Sequence, residues 1–180
     1  MRVAVQHDNP LVTTSTLDDA FGHHVWATLK LIDTCRQLTS EQLAYTAVGT
    51  YGSILDTLRH IVGADAAYLF VLTGGRVPMI DEERMTLDDL RSAMEGYGAE
   101  WSHVASDERD PNEIVVRHRD DGSESRAPLS IRISQALHHG TDHRSQVCTA
   151  LTTLGIEPPE IDVWAYALQD GRLVLTEPAS

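Results

Sequence analysis

Residues 136–155 read ALHHGTDHRSQVCTALTTLG, and their spacing decides the fold. Ile133, Ala136, His139, His143, Val147, Ala150 and Leu154 recur every three or four residues, the stripe that a helix turns toward a core. Two imidazoles interrupt this apolar seam. They stand at i and i+4, roughly 40° apart around a helix axis, so both rings reach one ion. A buried imidazole without a partner costs on the order of 1–3 kcal/mol, so each ring requires a hydrogen bond or a metal. An isolated HxxxH serves either as a network that fixes packing or as two thirds of a metal site.

The candidate third ligand is His60, within SILDTLRHIVGADAAYLFVL at residues 53–72. This segment reads as a second long helix, with Ile54, Leu58, Ile61 and Leu72 near one stripe. His60 falls on a different strip, with Ser53, Asp56, Thr57, Ala64, Ala67 and Val71. Most of these neighbours are small, which leaves room for a ligand where a core would want bulk. Asp56 precedes His60 by four residues and shares its face. It is the candidate catalytic residue, placed to orient the second ring nitrogen of His60 or to act on a bound water. The same position equally suits an ordinary polar residue in a helix's first turn.

Around these two segments the chain reads as further helices. Ser15 or Thr16 caps a helix over 17–38 with Phe21, Val25, Leu29 and Ile32 as its stripe. Residues 39–51 read as a connector. The second helix stops at Thr73-Gly74-Gly75. Thr86-Leu87-Asp88-Asp89 opens a third helix to about residue 104, weakened by Gly96 and Gly98. Between Pro111 and Pro128 the period changes, and EIVVRHR and SESRAPL flank Asp120-Asp121-Gly122 as a hairpin. The last long helix runs from about 130 to 154, and a shorter one is expected over 161–168. The expectation is an all-α four-helix bundle with a small β-hairpin inserted before its last long helix.

Composition narrows the function. A chain of 180 residues is expected to form one domain, 1–180, with a core that needs no staples. The net charge of −13, with only 14 scattered Lys and Arg, argues against nucleic acid or an anionic membrane surface as partner. Cys35 and Cys148 are too few for a disulfide framework and suit a reducing compartment. Cys148 lies far around the helix from both histidines and reads as a packing residue. No apolar run approaches about 18 residues, and MRVAVQHDNP lacks the apolar core of a signal peptide, so the expected location is the cytoplasm.

HHGTDHRSQVCTALTTLG at 138–155, followed by PPEIDVWAY at 158–166, resembles the C-terminal motif of the DinB/YfiT-like superfamily of helical metalloenzymes. The helix bearing His24 and Trp26, then GTYGSILDTLRHIVGADAAYL at 49–69, are similar to that superfamily's first two helices, in the same order. The family is unrelated to the DNA polymerase that shares its name. The resemblance implies a four-helix bundle of the DinB/YfiT type and a three-histidine site for a divalent metal, zinc or nickel, mapping to His60, His139 and His143. It also implies a homodimer and a small-molecule substrate. Family members are associated with transfer of low-molecular-weight thiols such as bacillithiol or mycothiol, with isomerisation of maleylpyruvate, and with suspected hydrolysis. Where many members show HGTHHRGQ, this chain has HGTDHRSQ, with Asp142 and Ser145. Neither replaces a proposed ligand, and Asp142 points away from the seam.

Three neutral imidazoles leave the full charge of a divalent ion to acidify bound water or thiol. The spacing itself does not choose the metal. Gly140 and Thr141 stand where HExxH would place its glutamate, which disfavours a zincin mechanism. Two classes follow: a metal-dependent enzyme acting through thiol or water, or a non-catalytic bundle whose site is closed or inert. His24 is the residue available to close it, or to stand behind the ligands. His23, His138, His7, His103 and His118 read as surface or packing residues. Arg144 is expected to pair with a carboxylate that steadies its helix. Trp26, Tyr68, Trp101 and Trp164 read as core.

Overall fold

Short polar signals set where each helix begins. The computed structural model describes residues 14–176. Ser15 caps α1 (Thr16–Cys35) through a box with Asp18, and Asp18 and Asp19 place negative charge at the positive helix end. The helix stops at Cys35, three residues short of the expected end. The connector contains a short helix, α2 (Ser40–Leu43), closed by a box between Thr39 and Gln42. The Thr-x-x-Gln pattern at 39–42 carries that signal in the sequence. Ser53 caps α3 (Ile54–Leu72), which ends before Gly74 and Gly75 at φ 64° and 88°. After a 3-10 turn at Glu82–Arg84, Thr86 and Asp89 box the start of α4 (Leu87–Ser106), so Gly96 and Gly98 do not break it.

The hairpin is present as expected. β1 (Ile114–His118) pairs antiparallel with β2 (Glu124–Pro128) from Ile114↔Pro128 to His118↔Glu124, and Gly122 takes φ 81° in the turn. The chain passes from β2 directly into α5 (Leu129–Thr153). A seven-residue helix, α6 (Val163–Gln169), capped by Asp162, then packs on α1. Among the described residues no helix is long and apolar enough to cross a membrane.

The four long helices form a closed ring. α1 packs on α4, α4 on α3, α3 on α5, and α5 on α1. Phe21 stacks on Trp101 at 4.3 Å between α1 and α4, and Leu31, Leu58, Ile61, Met94 and Leu151 fill the centre. α1 and α3, neighbours in the chain, therefore stand diagonally. α3 and α5 stand side by side, which brings His60 next to His139 and His143.

The buried stripe of α5 differs from the expected one. Ala136, Gly140, Arg144, Val147 and Leu151 are buried, whereas His139 and His143 lie half-buried on the flank of that row. The rotation has a polar cause: the Arg144 guanidinium is drawn to the bundle centre by His24 and Thr28. α1 shows the same effect, with His24 and Thr28 buried while Val25 and Leu29 are only partly covered. Trp101 is core, but Trp164 is 70% exposed, because α6 is a single layer outside the ring.

Candidate metal centre

His60 from α3 and His139 and His143 from α5 converge. One nitrogen from each ring lies within 4.8 Å of the others. The Nε2 atoms of His139 and His60 are 3.0 Å apart, so in the metal-free state one proton is held between two imidazoles. Two nitrogens that each bind one zinc ion at about 2.0–2.1 Å stand only slightly farther apart than this. The donor set is therefore suited to one divalent ion in place of that proton.

The surroundings disfavour a proton on His60 and His139. Burial, followed by the adjacent His143 and His60, pushes His139 down to about 4. Burial and then His143 lower His60. Neutral imidazoles present the lone pairs a metal needs. Gln146 fixes the third ring: its Oε1 accepts the backbone N–H of Tyr51 at 2.8 Å and the His143 Nδ1–H at 3.2 Å. Since an amide oxygen only accepts, this leaves His143 Nε2 as the free ligand atom. Tyr51 also stacks on His60, with centroids 4.0 Å apart and planes 7° from parallel. Sequence reasoning placed Tyr51 in a plain connector. Gln146, three residues past His143 on the same helix face, was open to detection by spacing.

Asp56 lies at the start of α3 and is engaged in its cap. Its carboxylate accepts the Ser53 hydroxyl at 2.6 Å, and its backbone N–H donates to Ser53 Oγ. It is 58% exposed, with Arg59 Nη1 at 3.9 Å. The carboxylate found beside the cluster is Glu82, with Oε1 3.8 Å from His60 Nδ1. Burial, then Glu83, raises the Glu82 carboxyl. Its carboxylate occupies the space where a side chain on Gly63 would lie. Only the acidic run at residues 81–83 marks this loop in the sequence, and nothing there distinguishes one acid from the next.

The small residues beside His60 do leave space. A cleft of about 290 Å³ is lined by His60, Ala64, Ala67, Tyr68 and His139, with Glu82 at its edge. A second cleft of about 580 Å³ lies on the other side of Glu82, between Tyr51, Asp56 and Arg59.

His24 takes another role. It is 1% exposed; its Nε2–H donates to Asp65 Oδ2 at 2.8 Å, and its Nδ1 accepts from Arg144 Nη1 at 2.9 Å. Both ring nitrogens are committed, so His24 does not close the metal site. Arg144 reaches its carboxylate through this ring and not directly. His23 is not a surface residue either: its Nε2 lies 2.8 Å from the Ile161 carbonyl and donates to it. His103, His138 and Asp142 are exposed, and so is His118, which pairs with Glu124 at 2.9 Å. His7 lies outside the described residues.

The low position of His139 has a stability consequence. Its unfolded value is about 6.5, so between that pH and about 4 the unfolded chain binds a proton that the folded chain resists. His60 and His23 act in the same direction. Stability of the metal-free protein is thus complete above about pH 6.5 and falls as the medium is acidified, before carboxylates begin to titrate. Melting temperatures between about pH 7 and pH 5.5 should decline in the wild type and decline less in His139→Gln. Equal slopes in the two proteins would contradict this assignment.

The sequence profile of the DinB family matches residues 13–173, which include all four long helices, the hairpin and the three histidines. A comparison with curated proteins finds no match. With nearly the whole chain matched in sequence and a helical bundle and three-histidine cluster of the expected kind, the chain belongs to the DinB family.

Proposed function

We propose that this protein is a metal-dependent enzyme in which His60, His139 and His143 hold one divalent ion, zinc or nickel, beside a small-molecule cleft. The observation that carries the reading is the convergence of three imidazoles within 4.8 Å of one another, two of which, His60 and His139, line that cleft. A divalent ion held by neutral ligands supplies Lewis acidity and lowers the pKa of a bound thiol or water. His24 is tied to Asp65 and Arg144, and the group contains three protein ligands, which supports a catalytic rather than a closed site.

The chain's own residues supply the rest. Gln146 sets the His143 tautomer, and Tyr51 covers one face of His60. Glu82, not Asp56, stands where a proton leaving a nucleophile in the cleft would be accepted. The nucleophile is a low-molecular-weight thiol or water, and the reaction is transfer to, or hydrolysis of, a small electrophile. The protein acts in the cytoplasm as a homodimer of single-domain chains.

The test is rate measurement on zinc- and nickel-loaded protein with bacillithiol, mycothiol and glutathione against a chloronitrobenzene, and with a nitrophenyl ester for hydrolysis. Metal loading should raise at least one of these rates by about tenfold or more, a threshold set below the roughly 100-fold of a positioned acid or base. Loaded and metal-free protein reacting equally with every pair would overturn the enzyme reading.

A further inference from the structure

The cleft beside the imidazoles holds a charge that this chemistry leaves unused. Arg117, in β1, lines it together with His60, His139, Met79 and Ile80. The neighbouring arginines of the hairpin region are engaged. Arg119 donates to Ser123 Oγ at 3.2 Å, Arg126 lies 3.6 Å from Glu124, and Arg132 donates to the carbonyls of Val115 and Ser125 at 3.1 and 2.8 Å. Among the described residues Arg117 has no ion pair and no side-chain hydrogen bond. It is half-buried, and its guanidinium has no protein acceptor among these residues.

Arg119 and Arg132 add positive charge near it in a chain of net charge −13. Arg132 is lowered by burial and then by the charges of Arg117 and Arg119. The nearest carboxylate in the inner cleft, Glu82, is turned to His60 and Gly63 and does not pair with Arg117.

Arg117 and Met79 also line a neighbouring cleft of about 760 Å³ that runs past Phe70 and Val71 to Gly74 and Gly75. The two spaces therefore form one groove between α3 and the hairpin. Phe70 and Met79 leave 40% and 55% of their surface exposed along it, an apolar floor without a cover. Asp120 and Asp121 line its outer end, where they repel a second negative charge.

We propose that this groove binds an organic monocarboxylate. Its head pairs with Arg117 beside His60 and His139, and its apolar body lies over Met79 toward Phe70 and Val71. A guanidinium fork matches a carboxylate through two parallel hydrogen bonds, which a lysine would not do. The groove as a binding site stands on Arg117 and its surroundings. Only the further step, that the bound acid is the substrate, rests on the metal-dependent enzyme proposed above.

The test is calorimetric titration of the full chain, metal-free and zinc-loaded, with phenylbutyrate, phenylbutyramide and phenylbutyl phosphate. Phenylbutyrate should bind about tenfold or more tighter than the amide in both metal states. Arg117→Gln should abolish that preference, while Arg126→Gln, on β2 and outside both clefts, should preserve it. Retention of the preference in Arg117→Gln, or equal binding of acid and amide by the wild type, would overturn the proposal. A phosphate bound about tenfold tighter than the acid would overturn the carboxylate assignment. The metal-free arm separates the two readings. An Arg117-dependent preference in a protein that takes up no metal leaves the groove and removes the enzyme. Stoichiometric zinc without any acid preference does the reverse.

Discussion

His60→Ala and His143→Ala proteins, purified without a histidine tag, will carry no stoichiometric zinc or nickel, whereas the wild type will carry about one ion per chain. Loss of a hydrogen-bond partner behind a metal ligand typically costs about 10- to 100-fold in affinity, and loss of the ligand itself costs more. Three imidazoles are the smallest set that gives tight binding with an open position, so two leave little. The helical circular dichroism of both variants should be close to wild type. His60 is 26% exposed and His143 half-buried, and neither belongs to the polar network at the bundle centre. Truncating His60 leaves Tyr51 without its stacking partner, and truncating His143 frees Gln146, but both changes open onto the cleft. Mass spectrometry of the metal content, on protein as purified and after dialysis against each ion, gives the answer. Full metal retention in both variants would remove the triad as the binding site.

What the sequence made legible follows from which physical signals are local. Capping boxes at Ser15 and Thr86, the glycine pair after Leu72, and Asp-Gly between two strand-like runs each act within a few residues, and each element starts or stops beside them. The three clustered histidines were legible because two of them share a helix and the third sits among small residues. The rotation of α5 was not. A period of 3.6 cannot separate a stripe through His139 and His143 from one through Gly140 and Arg144 when a polar side chain is the residue that goes inside. That choice depends on His24, 120 positions away in the chain, meeting Arg144 from the adjacent helix α1 while it holds Asp65 of α3 across the diagonal. Glu82 escaped for a related reason, since a loop after Pro78 carries no periodicity that says which acid turns inward.

Asp65→Ala should be the most damaging single substitution in the molecule, lowering stability by about 3–5 kcal/mol. Asp65, His24 and Arg144 are 1%, 1% and 3% exposed. Within this line His24 donates to Asp65 and accepts from Arg144, so the ring is neutral and the trio balances one negative against one positive charge. Arg144 also reaches Thr28 Oγ1 at 3.2 Å and, through Nη2, Thr141 Oγ1 at 3.2 Å. Burial already holds its guanidinium down to about 10, against the support that Asp65 gives it. Truncating Asp65 leaves that cation without a counter-charge and the His24 N–H without an acceptor. The close approach of α1 to α5 adds rigidity, because the His24 ring lies where a side chain at Gly140 would be. Most domains have only about 5–15 kcal/mol to lose, so the variant should unfold at much lower urea. Replacing the pair together, as Asp65→Leu with Arg144→Met, should recover part of the loss, since it removes the unpaired cation while the His24 N–H stays without an acceptor. Urea unfolding of Asp65→Ala, Asp65→Leu, Arg144→Met and the double variant beside the wild type decides the matter. A loss below about 1 kcal/mol for Asp65→Ala, or a double variant as unstable as the sum of the singles, would show that the network carries no such energy.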